Sequence, residues 1–312
     1  MKRNKIIMEK ENKTINILLI VIMILVFVGC IVAYLYFTHT WEKKDKNQEP
    51  IFTIENYPKI DGSTATLPLA QAYKSAFTGT DIEKVDVSHS KTHNAYVNLI
   101  DKKSDLILVT YPSEEEKKLA KDAGIELEIV PVVKEAFVFF VNKENIIDNL
   151  MLNQIQDIYS GKITNWKEVG GADAPILAYQ RPQNSGSQSG MLSLVMQGIK
   201  MKEPEKETIA QSMVDIVDVI SDYQNKDNAI GYSYYYYITT MYSKDQIKLL
   251  SVNGIEPTYD NIKTGLYSIQ TAYYAVIRKD EPENSDVRKL LNAMISTYGQ
   301  NVAKEAGYVQ NY

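Results

Sequence analysis

Short apolar segments alternate with amphipathic helical segments from Ile51 to the end of this 312-residue chain. The run DLILVTYP, which ends at Pro112, is continuously apolar, as expected for a strand buried on both faces of a sheet. A predicted helix follows directly, with Ser113 as its N-cap, glutamates in its first turn and Gly124 at its end. This alternation predicts the α/β class with parallel sheets.

The remaining elements are predicted from apolar periodicity and from the positions of glycine and proline. Helices are expected over NQIQDIYSG, which ends at Gly161, and over SGMLSLVMQG, which ends near Gly198. Composition is compatible with one doubly wound domain or with two smaller lobes. The predicted strands are KVDVS (84–88), LEIVPVV (127–133), EAFVFFVN (135–142) and ILAYQ (176–180).

The N-terminal 50 residues predict attachment to a membrane. Residues 1–14 carry an excess of basic over acidic side chains and are predicted to be a cytoplasmic basic segment. Residues 15–37 contain no charged residue, and a helix needs roughly 20 apolar residues to cross a bilayer. They are therefore predicted to be a single transmembrane anchor. Residues 38–50 are polar, end in proline and predict a linker to an extracytoplasmic domain.

Cys30 leaves an alternative for the same segment. The sequence FVGC loosely resembles the bacterial lipobox, in which the cysteine is lipidated after cleavage, so residues 15–37 are either an anchor or a lipoprotein signal. The apolar run continues past Cys30, which favours the anchor. Because this is the only cysteine, disulfides play no part in folding the chain.

Charge and composition exclude several function classes. The net charge is −5 and no basic stripe is present, so nucleic acid is not expected as a partner. The three histidines are too few and too poorly spaced for a metal site, and no cofactor motif is found. A serine hydrolase is not expected either, because NSGSQSG lacks the spacing of a nucleophile elbow.

The segment QRPQNSGSQSGM combines an arginine, hydroxyl groups and glycines before a predicted helix that begins near Ser185. The first turn of a helix exposes unpaired N–H groups, Gly186 lets an anion approach the backbone, and Ser185 and Ser187 add hydroxyl donors. Arg181 supplies a planar fork that suits oxyanions. The alternative is an ordinary N-cap on a polar loop, with Arg181 at the surface.

Three other positions carry hydroxyl groups at comparable places. Thr66 lies in the loop GSTATLP, where Pro68 opens a predicted helix, and Thr92 precedes another helix. Thr110 ends the apolar strand DLILVT. Because ligands of open α/β sheets bind beyond the carboxyl ends of strands, these loops are expected to surround one anion.

Several motifs make the chain resemble the phosphate-binding proteins of bacterial high-affinity phosphate ABC transporters, within the type II periplasmic-binding-protein class. IYSGKITNWKEVGGADAPI is similar to a specific segment of that family, QRPQNSGSQ follows at the expected distance, and DNAIGYSYY resembles a later element. The resemblance implies two α/β lobes with an anion buried between them. It places lobe I at 51–133 and 251–312, and lobe II at 134–250.

The resemblance also assigns candidate ligand-binding residues. Thr66 and Leu67 match the first loop of the family as a hydroxyl and backbone donors, and Thr92 replaces a serine. Thr110 departs from the family, which has an aspartate there that accepts the proton of phosphate and so disfavours sulfate. The identical or conservatively replaced residues of the last loop are Arg181, Ser185, Gly186 and Ser187.

These features predict a non-enzymatic, membrane-anchored extracytoplasmic binding protein. By resemblance it captures inorganic phosphate or a similar oxyanion for an ABC transporter permease. The alternative is a non-transport receptor or sensor with the same fold. His93, beside Thr92, is interpreted as a solvated residue at a helix start, and Trp166 as a packing anchor.

Overall fold

The computed structural model describes residues 23, 26–31, 49–183, 185–222, 224 and 228–312. The chain divides into two compact units, Met1–Glu49 and Pro50–Tyr312. In the first unit, Met23 and the residues 26–31 are helical and exposed. No helix within the described residues is long and apolar enough to cross a membrane. The predicted basic segment 1–14, most of the predicted anchor 15–37 and most of the predicted linker 38–50 lie outside the described residues.

The second unit contains all the helices and strands that position the candidate site. The helices are α1 (Leu67–Thr78), α2 (Thr92–Ile100), α3 (Glu114–Asp122), α4 (Leu152–Ser160), α5 (Gly186–Gly190), α6 (Met213–Ser221), α7 (Tyr259–Thr264), α8 (Asp286–Ile295) and α9 (Thr297–Glu305). The strands are β1 (Ile60–Gly62), β2 (Leu106–Val109), β3 (Leu127–Asn142), β4 (Asn149–Leu150), β5 (Leu177–Ala178), β6 (Ala229–Tyr234), β7 (Ile247–Leu249), β8 (Ser251–Val252), β9 (Gln270–Arg278) and β10 (Val309–Gln310).

The main sheet of the described residues has the order β1-β2-β9-β3-β6-β5, and β7 and β10 also pair with β3. The pairs β1/β2 and β5/β6 are parallel, whereas β9 and β6 run antiparallel to β3 and β9 runs antiparallel to β2. The prediction of parallel sheets is therefore wrong for the centre of the sheet. An apolar run predicts a strand buried on both faces, but it does not specify the direction of the neighbouring strand.

Strand β3 joins the two halves of this sheet. Its first part, from Leu127 to Ala136, pairs with β9, and its second part, from Phe137, pairs with β6. The two strands predicted over 127–133 and 135–142 are thus one strand of 16 residues. The register shifts between Pro131 and Val133, which accommodates a proline because the ladder is interrupted there.

Local capping signals form as predicted in several helices. Ser113 and Glu116 make a reciprocal capping box at the start of α3, and Gly161 ends α4 with a left-handed φ of 81°. The predicted strand over 84–88 is wrong, because residues 85–91 have no regular structure. Side chains bind this segment instead of a neighbouring strand: Lys74 Nζ donates to the carbonyl oxygen of Asp86 at 2.9 Å.

Aromatic side chains fill the core behind the candidate site. Phe137 lies 5.4 Å from both Tyr232 and Tyr234, measured between ring centroids, and Tyr159 stacks edge-on to Tyr232. Trp166 is fully buried and its Nε1 donates to the carbonyl oxygen of Asn228 at 3.1 Å, as the interpretation as a packing anchor requires. Tyr232 and Tyr234 therefore present their hydroxyl groups from rings that the core holds in place.

Candidate functional site

A cavity of about 470 Å³ lies where several loops meet at the ends of strands. One side is formed by the loop Ser63–Ala65, by the start of α2 and by Thr110, which directly follows β2. The other side is formed by the start of α5 and the start of α6. The predicted residues that line it are Thr92, Thr110, Arg181, Ser185, Gly186 and Ser187.

Gly186 shows how closely these loops approach. A Cβ atom at this position would lie 2.8 Å from Thr92 Oγ1 and 3.0 Å from Thr110 Oγ1. Both hydroxyl groups therefore lie close to Gly186, although Thr92 and Thr110 are far from it in the sequence. Tyr234 adds a further link, since its hydroxyl group donates to the carbonyl oxygen of Gly186 at 2.9 Å.

Arg181 brings a buried positive charge to the cavity, with 8% of its surface exposed. Its Nη1 donates to the carbonyl oxygen of Ala210 at 2.5 Å, but its Nε is buried without a hydrogen bond partner. No ion pair to Arg181 is found among the described residues. Burial lowers the pKa of the guanidinium from its usual value, and the nearby Tyr232 and Asp215 partly offset this effect. The side chain lacks a direct counter-ion, which an anion in the cavity would supply.

Arg181 is held in place by its backbone. Its N–H lies 3.1 Å from both the hydroxyl oxygen of Tyr232 and Gln188 Oε1, and the Tyr232 hydroxyl group donates to the same Gln188 oxygen. Gln188 lies in the first turn of α5. The arginine and the helix that follows are thus fixed to each other through two side chains of the core.

Two unpartnered hydroxyl groups belong to residues that line the same cavity. Ser187 Oγ and Thr110 Oγ1 are buried without a hydrogen bond partner among the described residues, and the hydroxyl group of Tyr234, near Thr110, is already donated to Gly186. Buried polar groups are nearly always hydrogen-bonded in proteins, so their arrangement indicates a bound polar group. Both hydroxyl groups can donate to an oxyanion.

The start of α5 adds backbone donors. Ser185 is the N-cap, and its Oγ accepts from the N–H of Gln188 at 3.2 Å, which leaves the Ser185 hydroxyl proton available to a ligand. The N–H groups of Gly186 and Ser187 belong to the first turn, where helix geometry provides no intrahelical acceptor. The helix that was predicted to begin near Ser185 does so, and it continues through a π-helical turn over Met191–Met196.

The structure does not bring Thr66 and Leu67 to the cavity. Thr66 is fully buried, and its Oγ1 donates to the carbonyl oxygen of Leu108 at 2.6 Å, so it fixes the loop to the end of β2. Ser63 and Thr64, from the same GSTATLP segment, line the cavity in its place. The sequence contains hydroxyl groups at all three positions, and only the direction of the short helical turn Thr64–Thr66 distinguishes them.

Asp61, which sequence reasoning missed, positions the start of α2. Its buried carboxylate accepts from the N–H of Ser90 at 2.7 Å, from Ser90 Oγ at 2.6 Å and from Asn98 Nδ2 at 2.8 Å. Burial alone would raise the pKa of Asp61, but these bonds and one from Gly62 outweigh it and hold the pKa below its usual value. Lys91, at the cavity, has a φ of 76° and a ψ of 162°, which is a strained conformation for a residue other than glycine.

Known proteins share this architecture. The PBP superfamily domain matches residues 53–300. A phosphate-binding protein PstS of Borreliella burgdorferi is 29% identical over 182 residues, which cover 56% of this chain and 63% of that relative. The phosphate-binding protein PstS of Staphylococcus saprophyticus is 26% identical over 267 residues, which cover 82% of this chain and 80% of the relative.

A solved structure gives the same result. It is described as a phosphate ABC transporter substrate-binding protein of Clostridium perfringens with bound phosphate. It is 27% identical to this chain with a TM-score of 0.64, and the match covers 81% of this chain and 98% of the other. The resemblance that the ITNW and SG motifs indicate is therefore confirmed, together with a mixed α/β PBP-like fold.

Proposed function

Because this chain belongs to the PBP superfamily, we propose that it is an extracytoplasmic solute-binding protein that captures phosphate, or a related oxyanion, for an ABC transporter. Its relatives are named as phosphate-binding proteins, and one solved neighbour contains phosphate. These relatives are binding proteins and not enzymes, in agreement with the sequence-based prediction.

The buried guanidinium of Arg181 is the observation that carries the proposal. It lies in a cavity where the described lining residues include no carboxylate, and its Nε has no partner. A buried charge without a counter-ion is strongly unfavourable. An anion bound in the cavity supplies the counter-ion of Arg181 and thereby stabilises the folded protein. A small oxyanion satisfies the guanidinium and the hydroxyl groups of Ser187 and Thr110 together.

The proposed ligand contacts follow from this arrangement. Arg181 and Ser187 donate from one side, with the N–H of Gly186 and the hydroxyl group of Ser185 beside them. Thr92 and Thr110 donate from the other side. The unpartnered Oγ atoms of Thr110 and Ser187 support these roles. We assign the contacts of the first loop to Ser63 and Thr64, which line the cavity, and assign to Thr66 and Leu67 the role of supporting that loop.

We further propose that residues 51–133 with 251–312 form one lobe and that residues 134–250 form the other. The change of partner along β3, from β9 to β6, supports a boundary near Lys134. Thr92 and Gly186 would belong to different lobes and already lie close together, as expected for lobes closed around the anion. Proteolysis with and without phosphate tests this division, since closure should protect segments on both sides of the boundary.

Attachment to the membrane through residues 15–37 is part of the same proposal. The uncharged run and the basic segment before it support an N-terminus in the cytoplasm and a binding domain outside. Such an anchor keeps the binding domain close to a permease. Labelling of intact cells with a reagent that does not cross the membrane tests the orientation.

Calorimetric titration of the full-length chain in detergent with phosphate, sulfate and arsenate tests the function. We expect binding of phosphate by the natural protein and a loss of affinity of about 30-fold or more in Arg181→Ala, because the bound ion loses its buried cation. Lys167→Ala, a surface variant outside the cavity, is the control and should bind normally. If the natural protein gives no heat with any of the three ions, the proposed function is wrong.

A further inference from the structure

His93 occupies a position that the proposed function leaves unexplained. It lies in the first turn of α2, directly after Thr92, and it lines the cavity. Its Nδ1 lies 3.2 Å from Glu116 Oε1 of α3, and 26% of its side-chain surface is exposed. His93 is therefore paired with a carboxylate on one edge of its ring and borders the cavity. This arrangement differs from the solvated helix-start residue that the sequence predicts.

Glu116 determines which nitrogen of His93 carries a proton. The carboxylate is buried, and its Oε2 accepts from the N–H of Ser113 at 2.6 Å and from Ser113 Oγ at 2.5 Å. A carboxylate that accepts these two bonds acts as an acceptor toward the imidazole as well, so Nδ1 of His93 donates to Glu116. Nε2 has no hydrogen bond partner among the described residues.

The charges around the ring favour a positively charged imidazole when an anion is bound. Glu116 lies behind the ring from α3, whereas Lys91 and Arg181 are the other charged residues among those that line the cavity. Asp215 of α6 acts on Arg181 and does not line the cavity. A bound oxyanion therefore places His93 between two negative groups, and a charged donor hydrogen bond is stronger than a neutral one.

We propose that His93, oriented by Glu116, is a further cation of the oxyanion site beside Arg181 and donates from Nε2 to the bound ion, so that binding takes up one proton. The proposal rests on the proposed function, because it concerns the same cavity and the same ligand. A protonated His93 also gives the site a positively charged donor toward the anion, whereas Thr110 offers only a neutral hydroxyl group.

The pH dependence of affinity follows from proton uptake. If the complex holds one proton more than the free protein and ion, affinity falls as pH rises, by up to tenfold for each pH unit. The ionisation of phosphate adds its own pH dependence, and this contribution cancels between two variants that bind the same ionic form of phosphate. The difference between the natural protein and a His93 variant therefore isolates the proton on His93.

The test is calorimetric titration of the full-length chain with inorganic phosphate between about pH 6 and about pH 9, with proton uptake measured in buffers of different ionisation heat. At the acidic end we expect the phosphate affinity of His93→Gln to be lower than that of the natural protein by a factor of about ten or more. The variant lacks the charged hydrogen bond to the ion. The two affinities should converge at the alkaline end, and His93→Gln should take up less proton.

Two further variants separate this role from a structural one. Glu116→Gln keeps an acceptor for Ser113 but removes the negative charge, so it should shift the proton uptake to lower pH with His93 still present. Ser113→Ala weakens the helix cap without a change of charge, so it should lower the melting temperature and leave the pH profile of binding intact.

The outcomes that contradict the inference are distinct from those that contradict the function. Parallel pH profiles of the natural protein and His93→Gln, or equal proton uptake by both, overturn the role of His93 while the oxyanion site stands. An absence of phosphate binding by the natural protein overturns the proposed function, and the inference with it.

Discussion

Two single side chains leave little room for a Cβ atom at Gly186. A methyl group there would lie 2.8 Å from Thr92 Oγ1 and 3.0 Å from Thr110 Oγ1, closer than carbon and oxygen atoms normally approach. Both threonines are β-branched and stiff about χ1, so neither moves aside freely. The neighbouring side chains thus require a glycine at position 186. Its helical backbone conformation alone would be available to other residues as well.

The substitution Gly186→Ala tests this requirement. We expect a loss of phosphate affinity of about tenfold, since forcing a methyl group into a packed site costs about 1–3 kcal/mol. Calorimetric titration measures the loss. Ser189→Ala, in the same helix and outside the cavity lining, is the control and should bind normally. Normal affinity in Gly186→Ala would show that the two threonines do not contact this residue in the bound state.

Residue types in the sequence identified much of the candidate site, but not all of it. Arg181, Ser185, Gly186 and Ser187 line the cavity because they adjoin one helix start, which the sequence marks clearly. The resemblance predicts Thr66 as a contact of the first loop, whereas the structure directs its hydroxyl group to the carbonyl oxygen of Leu108. A short helical turn rotates each residue by about a third of a circle, so neighbouring positions face different ways.

Elements position the site through their ends. Strand β1 ends next to the loop that leads into the cavity, and Asp61 in this strand binds the loop before α2 through Ser90. The pKa of Asp61 is held below its usual value, so the ionised form is favoured by folding. This stability is present above the pKa of an unfolded aspartate, about 3.9, and is lost as pH falls through the lower pKa of the folded state.

The substitution Asp61→Asn should therefore destabilise the protein at neutral pH. We expect a decrease of about 1–3 kcal/mol in the free energy of unfolding, because the amide nitrogen cannot accept from Ser90. Denaturant unfolding measures it, and the difference from the natural protein should shrink below about pH 4. Asp101→Asn, at an exposed position directly after α2, is the control. If the difference in the free energy of unfolding stays constant down to acidic pH, the ionised form of Asp61 is not what stabilises the fold.

At the scale of the whole molecule, β3 carries the connection between the two halves of the sheet. Glu135 lies where the partner changes: it faces Thr271 of β9, and two residues later Phe137 faces Tyr234 of β6. The side chain is buried, and it accepts from the N–H of Ala136 at 2.8 Å. Burial raises the pKa of Glu135 to about 7, although backbone hydrogen bonds oppose this effect.

The raised pKa of Glu135 predicts how the stability of the fold depends on pH. An unfolded glutamate has a pKa of about 4.3, so the folded state binds more protons between about pH 4 and about pH 7. Stability from Glu135 is fully present below about pH 4 and is lost as pH rises through about pH 7. We expect Glu135→Gln to flatten this dependence in thermal unfolding followed across the same range. Glu128→Gln, partly exposed in the same strand, should leave it unchanged.

Local sequence patterns are sufficient to predict the α/β class, the caps at Ser113, Gly161 and Ser185, and the helix start that lines the candidate site. These depend on interactions within a few residues, which the local pattern records. Tertiary structure decided the antiparallel centre of the sheet, the single long strand β3 and the absence of a strand over 85–91. It also decided that Ser63 and His93 face the cavity and that Glu116 lies behind His93. Those arrangements depend on contacts between distant segments, whose direction and distance no local pattern specifies.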